Sequence, residues 1–284
     1  GEKAAEYTIA STTQLLNART RSWDESLFQP LGLPFHIMPD ITLPGNLLGP
    51  LLPEIKSETG LTGVDVINTA GHDTACAVAA VPASGENWAY LSSGTWSLIG
   101  IETREPIITD ASLSYNFTNE GGINRTIRFL KNVMGLWLLE GCMREWENRE
   151  PVTFEELTQK AKYATPFRAV INPDDRMFLN PRNMITAIQK YCQKTRQSVP
   201  RSRGSLTRVI FESLALRYRW VLRKIEEMRG TRIDTLHIVG GGSQNDLLNQ
   251  LTADATGCTV IAGPVEATAT GNILMQAVAS GDIE

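Results

Sequence analysis

Three short stretches carry residue types at spacings that do chemistry. In "AGHDTACA", residues 70 to 77, Asp73 stands between a β-rich run and a helical stretch of small residues. A carboxylate at that point either caps the helix, a frequent role for Asp, or acts as a general base toward a substrate hydroxyl. In "SSGTWS", residues 92 to 97, Gly94 and Thr95 lie in a hydroxyl-rich turn between two apolar runs. That turn is either a plain hairpin turn or, through the Gly94 N–H and the Thr95 hydroxyl, a grip on a terminal phosphate. In "IVGGGSQNDLLNQL", residues 238 to 251, Gly240, Gly241 and Gly242 follow a β-branched run and precede a helical pattern. Glycine loses more freedom on folding than any other residue. Three in a row therefore point to bare N–H groups at a helix start that accept a phosphate, or to a tight strand-to-helix turn with no ligand. The stretch is not G-x-G-x-x-G and no acidic residue follows at dinucleotide spacing, which disfavours a Rossmann NAD site. A carboxylate, a hydroxyl–glycine turn and a glycine-rich turn are the minimum parts of an ATP-dependent small-molecule kinase. Phosphoryl transfer asks for an aspartate to take the hydroxyl proton, donors that hold phosphate, and a nucleotide-bound metal.

The elements that must position these residues follow from periodicity and punctuation. Residues 1 to 20 read as helix or loop, and prolines at 30, 34 and 39 rule out a long helix in "SWDESLFQPLGLPFHIMPDI", residues 22 to 41. A strand is expected at 64 to 69, a turn at 70 to 73, and a small-residue helix from about 74 to 81. Residues 87 to 103 read as two strands joined by the Ser-Ser-Gly-Thr turn. The broad apolar face of 123 to 147 predicts a helix, "VTFEELTQKAKY" a short amphipathic helix, and "INPDDRMFLNPRNM" a run of turns. Leu206, Ile210, Leu214, Tyr218, Val221, Ile225 and Met228 recur at spacings of three and four, which predicts a helix over 205–228. The end of the chain reads strand, glycine turn, helix, strand, then a last helix from about 267. That is a βαβ-like unit, and the fold is expected to be α/β. A boundary is expected in "VPASGEN", residues 81 to 87, where Pro, Ser and Gly cluster.

Composition narrows the class. The chain has 284 residues, 42% hydrophobic and 20% charged, with a formal net charge of −4. That balance is of a globular protein and argues against nucleic acid or an anionic membrane as partner. No apolar run approaches the ~18 residues that span a bilayer, and "GEKAAEYTIAS" has no apolar core of a signal peptide, so a cytoplasmic location is expected. Cys76, Cys142, Cys192 and Cys258 are isolated from one another, and His36, His72 and His237 are equally scattered. The pattern suits a reducing compartment rather than a disulfide framework or a protein-ligated metal.

The order of these parts resembles the FGGY carbohydrate kinases, and within them those acting on L-rhamnulose. The resemblance is carried by "NTAGHDTACAVAAVP", "YLSSGTWSLIG", "LKNVMGLWLLE", "INPDDRMFLNP", and the run from "LHIVGGGSQND" to "VEATATGNI", most of residues 65 to 275, with "SWDESLFQPLGLP" upstream. It implies an actin-like ATPase (ribonuclease H-like) fold. It implies ATP-dependent phosphorylation of L-rhamnulose to L-rhamnulose 1-phosphate in rhamnose catabolism, with Mg²⁺ carried by the nucleotide. By the same resemblance Asp73 is the catalytic base, and His72, Thr74 and Asn132 contact the sugar. Gly94 and Thr95 grip the ATP phosphates, and Gly240, Gly241 and Gly242 meet its adenosine and α-phosphate. Glu140 stands where a nucleotide-contacting Gln is expected. Another ketose or polyol, such as xylulose or fuculose, is the alternative within the family, and a non-catalytic actin-like nucleotide-binding module the alternative outside it.

The family's opening motif, D-x-G-[ST]-x-x-[RK], is not found in this sequence. The resemblance then implies that residues 1–82 are the tail of the family's first domain and 83–284 most of its second, with the first domain incomplete. Half of the phosphate clamp would lie outside this sequence, so the 284-residue chain alone is expected to be inactive.

Overall fold

The computed structural model describes residues 2–147 and 150–283. It is an α/β structure with a mixed sheet, divided into two compact units. One comprises Gly1–Pro82, Ile101–Leu130 and Glu266–Glu284, the other Ala83–Gly100 and Lys131–Val265. Two strands, Trp96–Thr103 and Ile127–Met134, begin in one unit and end in the other. No helix among the described residues is long and apolar enough to cross a membrane.

The first unit is built around the helix Asp73–Ala79, preceded by the strand Asp65–Asn68. Its residues Ala75 and Cys76 are small, and they pack with Ala70 into a buried cluster. Small side chains let the last helix, Ala267–Ser280, approach closely, and Gly271 marks the nearest point. A Cβ on Gly271 would come within 2.6 Å of the Cys76 carbonyl carbon, a backbone atom that cannot swing aside. Asn272 Nδ2 secures the same helix by donating to Thr69 Oγ1 at 2.9 Å. Gly271→Ala is accordingly expected to cost about 1–3 kcal/mol through overpacking, to be read as a lower denaturant midpoint. A short antiparallel hairpin completes the unit, pairing Thr118–Gly121 with Ile127–Leu130.

In the second unit the strand Thr235–Val239 runs parallel to Trp88–Ser93 on one side and to Thr259–Ala262 on the other. Trp88–Ser93 turns back through Gly94 and Thr95 into an antiparallel partner starting at Trp96. The helix Arg203–Arg229 has a capping box at Ser202 and Ser205 and ends on Gly230 at φ +79°. It buries the expected stripe, Leu206 to Ile225, while Met228 is half-buried. The helix Phe154–Lys162 is also capped by a reciprocal pair, Thr153 and Glu156.

One element differs from expectation. Residues 123–147 do not form a helix. They form a single turn at Ile123–Arg125, the strand Ile127–Met134, and the helix Trp137–Glu147. Every strand residue but Asn132 is buried, so the run shows no alternation of apolar and polar faces, and a mostly apolar run does not by itself separate a buried strand from a buried helix. The break comes at Gly135, where a Cβ would sit 2.6 Å from the Gly94 carbonyl oxygen. The N–H groups of Gly135, Leu136 and Trp137 donate to the carbonyls of Thr95, Gly94 and Thr95 in turn. The turn at 94–95 thus caps the new helix.

Candidate functional site

The expected site residues fall into two groups, one in each unit. In the first unit His72 occupies the N-cap of the short helix without a side-chain cap bond, and Asp73 is its first helical residue. Asp73 therefore is not the cap. Its side chain is 78% exposed. Oδ1 accepts from Thr74 N at 2.6 Å and from Thr74 Oγ1 at 3.2 Å. That leaves Oδ2 turned to solvent with no hydrogen bond among the described residues, the arrangement a general base needs. Thr74 itself is buried, and its hydroxyl faces Asp73 within the chain.

The backbone beneath is tightly held. Glu6, buried, accepts from Gly71 N at 2.7 Å, from Thr8 N at 2.8 Å and from Thr8 Oγ1 at 2.6 Å. Thr8 Oγ1 in turn accepts from His72 N at 3.1 Å. Neither Glu6 nor Thr8 stands out in the sequence, because the backbone they hold, at Gly71 and His72, is more than sixty residues away. His72 is ringed by Glu120 and Arg128 from the hairpin. The sequence signal for these two is weak: a lone arginine inside the apolar run "TIRFL" and its strand partner.

In the second unit Gly94, Thr95, Glu140, Gly241 and Gly242 line one cavity of about 690 Å³, within the size range of small-molecule sites. The three glycines have separate duties. Gly240 sits at φ +83°, and its Cβ would approach Ser93 O to 3.0 Å. Gly242 is buried, and its Cβ would lie 2.6 Å from Ser93 Cβ. Only Gly241 is exposed, with open space where a Cβ would stand. Gly240 and Gly242 thus let the turn lie against the Trp88–Ser93 strand, while Gly241 is the exposed one on the cavity wall. The helix Asp246–Thr256 follows, capped by Asn245, whose side chain accepts from Leu248 N at 3.0 Å.

The Gly94 N–H is not directed at the cavity. It donates to Trp96 O at 2.9 Å inside the turn, because a tight reversal between adjacent strands consumes that donor. Thr95 is exposed, and its Oγ1 donates to Glu140 Oε1 at 2.9 Å. The hydroxyl and the carboxylate therefore stand together on the cavity wall. Phe154, Lys162 and Asp246 line the same cavity and were not marked by the sequence. Asn132 is exposed on its strand in this unit, outside that lining. Beside it Lys131 is buried, and burial, then the Arg217 charge, holds its ammonium below the ordinary lysine range. The loop "INPDDRMFLNP" is tied down by Asp174, which accepts from Met134 N at 2.9 Å and from Arg217 Nε at 2.8 Å.

The remaining candidates are core residues. His237 is buried edge-on to Trp88, with ring centroids 5.9 Å apart, and burial lowers its pKa. All four cysteines are buried free thiols, and burial pushes the Cys142 thiol up to about 12. Among the described residues no cluster of three or more His, Cys, Asp or Glu side chains is arranged to hold a metal ion.

Comparison with known proteins bears on what these two groups are for. A rhamnulokinase of Bacteroides thetaiotaomicron is 51% identical over 282 residues, covering 99% of this chain and 58% of that protein. The rhamnulokinase of Bacillus subtilis (strain 168) is 45% identical over all of this chain and 58% of its own length. The chain therefore spans about 58% of these curated relatives. Among solved structures, a xylulose kinase from Lactobacillus acidophilus superposes with a TM-score of 0.77 at 17% identity, over 99% of this chain and 56% of that one. A glycerol kinase from Plasmodium falciparum, crystallised with ADP, gives 0.76 at 14% identity, over 100% and 56%. These likenesses establish the actin-like fold of the sugar kinases. The model of the C-terminal domain of the FGGY family of carbohydrate kinases matches residues 89–280, and that of the N-terminal domain matches 1–80. The carboxylate at a helix start and the glycine-lined cavity thus sit within those matches, and the chain belongs to the FGGY family of carbohydrate kinases.

Proposed function

We propose that this chain is part of a rhamnulokinase, which transfers the γ-phosphoryl group of ATP to the terminal hydroxyl of L-rhamnulose, giving L-rhamnulose 1-phosphate and ADP. The observation that carries the reading is the Asp73 carboxylate. It is exposed, anchored through Oδ1 alone, and flanked by His72 and Thr74 at the start of a helix. A pure nucleotide-binding module has no use for such a group. The rhamnulokinase relatives, at 45–51% identity over nearly the whole chain, support L-rhamnulose as the substrate.

In this reading the sugar's hydroxyl meets Asp73 Oδ2, which takes its proton as the oxygen attacks phosphorus. His72 and Asn132 hold other sugar oxygens, and Thr74 holds the base in place. On the nucleotide side the Thr95 hydroxyl contacts phosphate, while Gly240, Gly241 and Gly242 let the adenosine and α-phosphate lie close to the backbone. Gly94 acts by shaping the turn, and Glu140 orients Thr95 and faces the nucleotide. With no metal-ligand cluster among its described residues, the chain would meet Mg²⁺ as a nucleotide-bound ion, held by phosphate oxygens and water. That ion would neutralise charge on the transferring phosphoryl group. Residues 1–82 are assigned to the tail of the family's first domain and 83–284 to its second. The reading also assigns the protein to the cytoplasm, where the ATP it consumes is held.

Thermal unfolding with added ligands tests this, since a ligand that binds only the native state raises its stability. L-Rhamnulose is expected to raise the midpoint more than D-xylulose or L-fuculose, and ATP with Mg²⁺ to raise it independently. A response to nucleotide alone would favour the binding module, and a larger response to D-xylulose would reassign the substrate.

A further inference from the structure

A charged pair beside Asp73 has no task in this scheme. Glu120 and Arg128 are register partners across the hairpin. Arg128 is 0% exposed and Glu120 6%. Burial of an ion pair adds little stability over an apolar pair of the same size, so its effect is sought in what it touches, which is His72.

Arg128 Nε donates to Gly121 O at 2.9 Å, which fixes the guanidinium plane. Its Nη2 lies 2.9 Å from His72 Nδ1 in hydrogen-bond geometry. Glu120 Oε2 stands 3.2 Å from the same Nη2 and 3.3 Å from His72 Nδ1, as ion contacts that are not aligned as hydrogen bonds. A guanidinium has five donors, no acceptor and no accessible neutral form. The nitrogen facing it must therefore accept. In a neutral imidazole the proton is then on the other nitrogen, Nε2. That atom lies 3.7 Å from Asp73 Oδ1, too far for a hydrogen bond, so its N–H is available to a ligand. The His72 backbone is already held by Thr8, which leaves ring orientation and tautomer as what the pair decides.

We propose that Arg128, with Glu120 as its counter-charge, positions His72 as the Nε2–H tautomer, so that the ring presents a hydrogen-bond donor beside Asp73 to a lone pair of a sugar carbonyl or hydroxyl oxygen. The identity of that oxygen rests on the kinase reading; the tautomer does not.

Nitrogen-15 labelling of histidine separates the two. Only three imidazoles, those of His36, His72 and His237, contribute, and His72→Gln assigns one of them. At about pH 8, where an ordinary histidine is neutral, His72 is expected to show a pyridine-type Nδ1 and a pyrrole-type Nε2. Arg128→Met is expected to turn this into a mixture of tautomers, and Arg128→Lys, also a pure donor, to restore it. A pyrrole-type Nδ1 in the unaltered protein overturns the proposal, as does an unchanged pattern in folded Arg128→Met. The unaltered protein and Arg128→Lys decide the matter if Arg128→Met does not fold. Calorimetric titration with L-rhamnulose is expected to show about tenfold weaker binding in Arg128→Met, the loss of roughly one hydrogen bond, with ATP affinity unchanged. Absence of ketose binding in every form, with the tautomer pattern intact, would sink the kinase reading and leave the positioning role standing.

Discussion

In the full-length kinase of which this chain is part, Asp73→Asn is expected to lower the kcat of phosphoryl transfer by about 10²–10⁴-fold, the usual contribution of a positioned general base, with KM for the ketose little changed. The substitution removes one thing. Asn keeps the size of the side chain, and its amide oxygen still accepts from Thr74 N in the place of Oδ1. What is lost is the ability of the second oxygen to take a proton. Stability is expected to hold within about 0.5 kcal/mol, because the side chain is 78% exposed and its hydrogen bonds among the described residues go to the adjacent Thr74. Steady-state kinetics and denaturant unfolding on the same preparation check both halves. A kcat within a few-fold of the unaltered protein would move the base elsewhere, and a large loss of stability would make Asp73 a structural residue.

The second large effect separates two neighbouring glycines. Gly242→Ala is expected to cost about 1–3 kcal/mol, since its Cβ must enter the space of the Ser93 side chain, 2.6 Å from Ser93 Cβ, and both strands are buried there. Relief would require the turn to lift from the sheet, which displaces the start of the helix Asp246–Thr256 and with it part of the cavity wall. ATP affinity is therefore expected to fall together with stability. Gly241→Ala places its methyl in open space at an exposed position, and stability is expected to change by no more than about 0.5 kcal/mol. Since Gly241 lines the cavity, ATP affinity is expected to fall without a loss of stability. Unfolding curves with and without ATP for the two variants give the comparison. Equal stability losses would mean that both glycines serve the turn alone.

Local signals account for what the sequence shows of this molecule. The hairpin at 88–103, the strand–glycine–helix–strand run at 235–262 and the Asp73 helix each have their own period and punctuation, and each is found within a residue or two of its expected place. The run 123–147 has the sequence pattern of a helix because a strand buried on both faces has no alternation. The Gly135 break makes sense only beside Gly94, some forty residues away. The same non-locality hides the duty of Gly242 toward Ser93, the consumption of the Gly94 N–H, and the hold of Glu6 on Gly71. His72 was legible as a neighbour of Asp73, but the Arg128 contact that sets its ring was not, since it joins positions 56 apart in the chain.

The most direct test of the central claim is the fate of the γ-phosphate. ADP release and phosphorus-31 spectra of the full-length protein are followed with ATP and Mg²⁺, in the presence and absence of L-rhamnulose. One phosphomonoester on the ketose per ADP formed is expected, with negligible ADP without the sugar. ADP released at the same rate with and without L-rhamnulose, with the phosphate appearing as inorganic phosphate, would contradict it.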